Sequence, residues 1–480
     1  MPYTMDLALY SLSHRRDQDL RASAKPTSER LRALIASLES GLLERGAAVR
    51  LALLAAIAGE HVLLIGPPGT AKSELARRLH RAFDGARYFE RLLTRFSTPE
   101  ELFGPLSLKA LEDDRYERLT DGYLPSASIA FLDEVFKANS AILNALLTLL
   151  NEREFDNGSA RARTPLISVV GASNEVPVEE ALTAFYDRFL VRVPVAAVSD
   201  AAFEALLTLA PARAEPVPAL TRDELGAWLA QRDGVALGDT VIRHLQTLRS
   251  FATENDIVVS DRRWRQLVGL LRSAALTEGR AEVDALDLWL VPYVVAQQPQ
   301  QVASLSDWFV REVAHAAPQD APWLTRAVEA FEKQLELEMQ AQRDESDAGA
   351  GKIALAKSLG ATQDGAMLRV VSAALEDHLR RRYSSVHVAA RVAQVDEVIA
   401  RADGHLQALR SEADALGRAL QGRVWLPPEL ALAMLGAKHT TPALLEALCA
   451  RLEAARAGYA ALPLDESLAD AVPEPVALLA

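Results

Sequence analysis

The chain has 480 residues and sets 52 Lys and Arg against 65 Asp and Glu, a formal net charge of −13. The acidic balance argues against a general nucleic-acid coat while leaving a local basic groove open. One cysteine, Cys449, excludes a disulfide framework and any CxxC zinc site.

Residues 1–30 read as an N-terminal extension. Leu31, Ile35, Leu38 and Leu42 then recur at helical spacing, and a helix over about Ala47–Ala58 is apolar nearly all round, which predicts burial. The apolar run Leu51–Gly59 is closed by Glu60 and is too short for a membrane span. With no signal-peptide order at the N-terminus, a cytoplasmic location is expected. Short β-type runs His61–Ile65, Tyr88–Leu93, Ser128–Leu132, Leu166–Gly171 and Val191–Pro194 alternate with helical stretches. That alternation predicts an α/β core over 31–198, a mostly parallel sheet with helices on both faces. Asn157-Gly158 predicts a hairpin across Glu154–Arg163, and a second hairpin is expected in Leu106–Tyr123 around Glu112-Asp113-Asp114.

After Ser199 the β signal fades. Helices near Ala201–Leu209, Arg222–Ala230, Asp239–Thr253 and Arg263–Glu278 make a helical lid over 199–299, closed by Gln297-Gln298-Pro299-Gln300-Gln301. A helical C-terminal domain is expected over 300–462. In it, Leu324, Val328, Phe331 and Leu335 mark an amphipathic helix, and Ala341–Lys352 has linker composition. A heptad-like arm over about 365–420 carries Val388, Val392, Val395, Ile399, Ala402, Leu406, Leu409, Ala413, Leu416 and Leu420. The stripe fits a helical hairpin within one chain or a coiled coil between chains. Residues 463–480, with three prolines and no Lys or Arg, read as an acidic, loosely ordered tail.

The sharpest pattern lies in His61–Glu74, where a strand runs into Gly66-Pro67-Pro68-Gly69-Thr70-Ala71-Lys72-Ser73 and then a helix. This is a P-loop in the context it requires. Gly66 and Gly69 let the backbone turn tightly around a phosphate, and the helix N-terminus adds partial positive charge. Lys72 is placed to reach the β- and γ-phosphates of ATP or ADP, and the Ser73 hydroxyl to ligate Mg²⁺. Ala71 stands where GxxxxGK[ST] has its second glycine, a small demand on the backbone. The bland alternative is a Gly/Pro-rich turn before a structural helix.

Downstream, Ile129-Ala130-Phe131-Leu132-Asp133-Glu134 is an apolar strand ending in two carboxylates. Asp133 is placed to hold Mg²⁺ through water, and Glu134 to orient and polarise an attacking water. Leu166–Ala172 delivers Asn174 to the sheet's C-terminal edge, where an amide can bond both the γ-phosphate and the water. A turn-forming Asn remains the alternative. Arg188, before the last strand, is placed as an arginine finger, with Arg192 as the backup. Its alternative is a surface ion pair with Asp187 or Glu180. Ser260 or Asp261 caps a lid helix on which Arg262 or Arg263 could reach the nucleotide, or could make a helix-start salt bridge instead.

Together these residues resemble the AAA+ ATPases, specifically the MoxR branch and its RavA-type regulatory ATPases, over about Leu31 to Gln301. The likeness rests on the loop above, whose Ala is usual in that branch. It rests also on Arg95-Phe96-Ser97-Thr98-Pro99-Glu100-Glu101-Leu102-Phe103-Gly104-Pro105, Phe131-Leu132-Asp133-Glu134-Val135-Phe136-Lys137 and Ser260-Asp261-Arg262-Arg263-Trp264. The resemblance implies that Asn174 is sensor 1, Arg188 the finger and Arg262/Arg263 the sensor 2 region. It implies a hexameric ring that hydrolyses ATP between subunits and acts as a chaperone-like remodeller, with a von Willebrand factor A domain partner. The two hairpins face the central pore in family members. RavA also carries a small β-rich domain that contacts an inducible lysine decarboxylase. No such strands are legible in Lys352–Gly422, so the resemblance does not carry that contact over.

Two other function classes compete with a protein remodeller: a nucleic-acid motor and a nucleotide-gated scaffold. Arg380-Arg381-Arg382 and Arg161/Arg163 are the basic clusters, but few aromatics interleave with the first for base stacking, and no nucleic acid is expected. A scaffold has no need of the water-activating Glu134. HExxH and GxSxG are absent, and Cys449 among Leu445, Leu448 and Leu452 reads as core.

Overall fold

The computed structural model describes residues 27–177, 179–209, 217–316, 321–341 and 381–477. The extension up to residue 26, the linker from 342, the first part of the expected arm, Arg380 and residues 478–480 lie outside the described residues. Two compact units emerge: one runs to His315 and takes in Gly422–Leu432, the other comprises Ala316–Gln421 and Ala433–Ala480. No described helix is long and apolar enough to cross a membrane.

In the first unit, α1 (27–39) buries Leu31, Leu34, Ile35 and Leu38 on one face. α2 (Gly46–Ile57) is buried at every position from Ala48 to Ile57, as an all-apolar helix must be. Then come β1 (Val62–Ile65), α3 (Lys72–Leu79), β2 (Tyr88–Leu92), α4 (Pro99–Phe103), α5 (Leu108–Glu112), β3 (Ile129–Asp133) and α6 (Ser140–Glu152). The core closes with β4 (Glu154–Asn157), β5 (Ala160–Arg163), β6 (Ser168–Ser173), α7 (Glu180–Tyr186) and β7 (Val191–Pro194). Five strands form one parallel sheet in the order β2-β3-β6-β1-β7. β1 and β6 are buried throughout, the mark of central strands covered on both faces. Because the sheet is parallel, the segments that follow β1, β3 and β6 all emerge at its C-terminal edge.

β4 and β5 pair antiparallel across Asn157-Gly158, with Gly158 at φ +66°. The second expected hairpin is not one. Ser107 caps α5 by accepting from the Ala110 N–H, and the segment closes through a single bridge, Leu106 to Arg118. A Ser followed by Leu-Lys-Ala-Leu-Glu favours a helical turn over strands. The Asn157 side chain clips the two insertions together: its Oδ1 accepts from the Arg118 N–H at 2.7 Å and its Nδ2 donates to the Arg118 carbonyl at 3.1 Å. A Cβ on Gly158 would lie 1.8 Å from the Tyr116 carbonyl oxygen, so this contact admits only glycine.

The lid comprises α8 (Asp200–Leu207), α9 (Arg222–Arg232), β8 (Ala236–Leu237), α10 (Asp239–Glu254), α11 (Asp261–Thr277), β9 (Glu282–Val283), α12 (Val291–Val295) and α13 (Gln301–Trp308). A two-residue parallel pair, β8 with β9, appears where no β signal was legible. The sequence reading ends the lid at 299, but Val302, Leu305, Trp308 and Phe309 are buried and keep α13 within the first unit. Gly422–Leu432 is held there too: the Trp425 indole donates to Thr277 Oγ1 at 2.8 Å, and Arg423 lies 3.2 Å from Asp287.

The second unit contains α14 (Pro322–Gln340), α15 (Ser385–Leu420) and most of α16 (Pro428–Ala460). Val395, Ala402, Leu406 and Leu409 of the heptad-like stripe share a core with Leu445, Cys449, Leu452 and Tyr459 and with Leu324, Val328 and Phe331. The stripe is therefore spent on a helical hairpin within the chain. Buried Glu338 is held by Arg391 at 2.9 Å and His387 at 3.2 Å. The tail touches the helices at a few points: Tyr383 N–H donates to the Pro463 carbonyl, Asp465 N–H to the Tyr383 carbonyl, and Arg391 Nη1 to the Glu474 carbonyl.

Candidate nucleotide site

The loop after β1 is gripped at its root. Gly66 N–H donates to the Ser173 carbonyl at 3.0 Å, and Val195 N–H to the Ile65 carbonyl at 2.7 Å. A Cβ on Gly66 would lie 2.0 Å from the Val195 carbonyl oxygen, so no side chain fits. Pro67, Pro68 and Gly69 form an exposed crest, with Gly69 at φ +80°. Thr70 Oγ1 closes the loop by donating to the Pro67 carbonyl at 2.9 Å. Ala71 stands in the left-handed region at φ +63°, ψ +24° as the N-cap of α3. That conformation costs an L-residue about 1–2 kcal/mol and explains why the general pattern has glycine there.

Lys72 is buried, and its Nζ donates to the Gly66 and Pro67 carbonyls at 2.7 and 2.8 Å. Burial draws its pKa down, and the charges of Asp133 and Glu134 partly restore it. Ser73 follows, half-buried in the first turn of α3. Asp133 ends β3, and its Oδ1 accepts from the Glu134 N–H at 3.0 Å. Glu134 also sits in the left-handed region, at φ +51°, a strain typical of functional corners. Its Oε1 accepts from Asn174 Nδ2 at 2.5 Å, and its Oε2 lies 3.2 Å from Lys137 Nζ. The structure thus brings Asn174 to Glu134, and Lys137, which sequence reasoning passed over, joins them. Its signal was a basic residue three positions after the carboxylate.

The arginines divide differently from expectation. Arg188 is half-buried just after α7, and its Nε has no hydrogen-bond partner among the described residues. The alternative, an ion pair with Asp187, does not form, because Asp187 takes Arg263 at 3.1 Å and Arg192 at 3.7 Å. The Glu180 side chain is outside the described set. Arg192, the backup finger, is pinned by the Ala296 and Tyr186 carbonyls and stacks on Tyr186 at 3.7 Å from the ring centroid. Burial lowers its pKa to about 9, and these contacts tie it to its own chain. Arg263 is spent likewise on the carbonyls of Asp187, Phe189, Leu190 and Val294. Arg262 donates to Asn151 Oδ1 at 3.2 Å.

Neither Arg262 nor Arg263 reaches this chain's own loop. α11, capped by Ser260, sets its first turns against Leu190 and Glu60, at the start of β7 and β1. The loop leaves the other end of β1. A linear sequence does not show which end of a sheet a lid helix meets.

A cavity of about 200 Å³ opens beside the loop's root, lined by Glu44, Arg45, Ala48, Val195, Ala196 and Tyr293. None of these was singled out from the sequence. Among the described residues, no group of three His, Cys, Asp or Glu side chains forms a metal cage. Ser73 and Asp133 supply two hard oxygen donors, a set suited to a Mg²⁺ that completes its shell with water and phosphate.

A glycine-cradled loop, a lysine, an acidic strand end and an amide on a parallel sheet under a helical lid define a P-loop protein of the AAA+ class. Residues 29–225 match the family described as the MoxR domain in the MoxR-vWA-beta-propeller ternary systems, and residues 240–309 match the AAA lid domain. Uncharacterized protein MJ0812 of Methanocaldococcus jannaschii is 41% identical over 271 residues, 56% of this chain and 72% of that protein. Uncharacterized protein MJ0079 of the same organism is 43% identical over 258 residues, 54% of this chain and 67% of that one. Protein MoxR of Paracoccus denitrificans is 30% identical over 173 residues, 35% of this chain and 50% of that protein. The chain belongs to the MoxR family of AAA+ ATPases.

Proposed function

We propose that the chain is a Mg²⁺-dependent ATPase of RavA-like type that assembles into a ring, hexameric by family resemblance. In this reading it works in the cytoplasm, where ATP is supplied, as a chaperone-like remodeller. The observation that carries the proposal is the Asn174–Glu134 contact beside Asp133, at the sheet edge from which the Lys72 loop also emerges. Lys72 exchanges its two loop carbonyls for phosphate oxygens, and Ser73 with Asp133 holds the metal. Bound there, Mg²⁺ neutralises charge on the phosphates. Glu134 orients the attacking water, and Asn174 divides its amide between that carboxylate and the γ-phosphate. Arg188, whose neighbour Asp187 is already taken by Arg263 and Arg192, serves a neighbouring subunit's ATP as the finger. Arg262, if it senses nucleotide, also does so across a subunit boundary. The description of the matched family supports a von Willebrand factor A domain partner.

Steady-state ATP turnover by the parent, by Glu134→Gln, by Arg188→Ala and by rings mixed from the two variants tests this. Each variant alone should fall about 10³-fold or more, since a finger contributes about 10³–10⁵ in rate. Arg188→Ala should still bind ATP, and mixtures should recover activity. Glu134→Gln turning over as fast as the parent would refute Glu134's role. Mixtures without recovery would refute a finger acting between subunits, and strong stimulation by DNA or RNA would favour a motor.

A further inference from the structure

Arg45 is a buried cation bonded to the phosphate loop, with no carboxylate in ion-pair contact among the described residues. It is 6% exposed. Its Nε donates to the Thr70 carbonyl at 3.1 Å, its Nη2 to the Ala196 carbonyl at 2.6 Å and its Nη1 to the Glu44 carbonyl at 2.9 Å. It forms no ion pair among the described residues. The adjacent Glu44 turns its carboxylate away, to the Ser199 N–H and hydroxyl.

The other buried arginines behave differently. Arg50 faces Glu39, Arg192 and Arg263 face Asp187, and Arg391 faces Glu338. A buried charge is normally paired because desolvation without compensation is costly. Burial lowers the pKa of Arg45, and only the Glu44 charge opposes that. Three carbonyl dipoles are poor payment for a whole charge; an anion that arrives and leaves would supply the missing compensation.

The position of Arg45 says which anion. Thr70 belongs to the loop that would cradle phosphate, and Ala196 lines the cavity of about 200 Å³ that Arg45 itself borders. We infer that Arg45 is a nucleotide-positioning residue: its fork ties the phosphate loop to the segment leading from β7 into the lid, and its charge is balanced when a nucleotide's phosphates bind. This rests on the nucleotide-binding reading above and adds to it a residue outside the motif.

The test uses the full chain and ADP, so that hydrolysis does not intervene. Dissociation constants and melting temperatures, with and without ADP, are measured for the parent, Arg45→Met and Arg45→Lys. Arg45→Met should bind ADP about 10–100-fold more weakly, the loss expected for a charge-assisted interaction. Its ligand-free melting temperature should stay close to the parent's, because it sheds an unpaired buried charge along with three hydrogen bonds. Arg45→Lys keeps the charge and loses the fork, and should regain a substantial part of the affinity. Arg45→Met binding ADP as tightly as the parent would overturn the inference. So would Arg45→Lys binding as weakly as Arg45→Met. If Arg45→Met does not fold, Arg45→Lys decides alone: affinity near the parent's supports the charge role, and loss of binding refutes it. A parent that binds no ADP would bring down the nucleotide reading itself, an outcome distinct from equal binding by parent and variant.

Discussion

Glu60 titrates far from the ordinary carboxylate range, and neutralising it should stabilise the protein at alkaline pH. It is half-buried at the foot of β1, where Gln266 Nε2 donates to its carboxylate at 2.9 Å. Loss of water outweighs the favourable charges of Arg153, Arg232 and Arg262 and raises its pKa from 4.5 to about 7. The same burial lowers the neighbouring Arg153 to about 10. Between pH 4.5 and 7 the folded chain keeps a proton that the unfolded chain has lost. The Glu60 contribution is therefore complete below 4.5 and disappears as pH rises through 7. A shift of 7 − 4.5 = 2.5 units at about 1.36 kcal/mol per unit bounds the effect near 3 kcal/mol, and residual solvent access trims it to about 1–2 kcal/mol.

Glu60→Gln retains the hydrogen-bonding shape and cannot ionise. It should melt several degrees above the parent at pH 8.5, since about 1 kcal/mol moves a domain of roughly 200 residues by about 2–4 °C. At pH 5 the gap should shrink to about a quarter of its alkaline size. His61 complicates the parent's own profile, because burial holds its pKa well below 6.5 and makes folding less favourable in acid. It accepts from the Val169 N–H through Nδ1 and faces the Leu150 carbonyl through Nε2. The parent-minus-variant difference, measured by scanning calorimetry across pH 5–8.5, cancels that contribution. Glu60→Gln melting below the parent at pH 8.5 would refute the reasoning, because the three guanidinium groups would then dominate over desolvation.

Ala71→Gly relieves a left-handed alanine at φ +63°. The relief of about 1–2 kcal/mol, less about 0.4–1 kcal/mol of unfolded-chain entropy, predicts equal or higher thermal stability with ADP affinity intact. A clear drop in melting temperature would contradict it. Lys72→Ala should weaken ATP binding by about 100-fold or more in calorimetric titration, as two charge-assisted bonds are lost. In the second unit, Arg391→Ala strands Glu338 without its guanidinium partner. Breaking a buried pair costs about 3–5 kcal/mol, which urea unfolding should register while the ADP dissociation constant stays unchanged.

What the linear chain discloses here is whatever depends on near neighbours. Gly66 and Gly69 announce a loop because only backbone freedom within a few residues is needed. Asp133 and Glu134 follow their apolar strand directly, and the stripe from Val388 to Leu420 declares a helix by its period alone. Parallel topology then accounts for the meeting of Asn174 with Glu134, 40 positions apart, since both leave the same edge of one sheet.

The tertiary structure decided the fate of each isolated charge. Arg188, Arg192 and Arg263 look alike in sequence, yet the carbonyls of Tyr186 and Ala296 capture Arg192, and those of Asp187, Phe189, Leu190 and Val294 capture Arg263. Arg45 acquired meaning only when folding buried it and, among the described residues, gave it carbonyls rather than a carboxylate as partners. Long, flexible cationic side chains take their roles from whatever desolvates and neutralises them, and those groups come from distant parts of the chain that folding alone brings together.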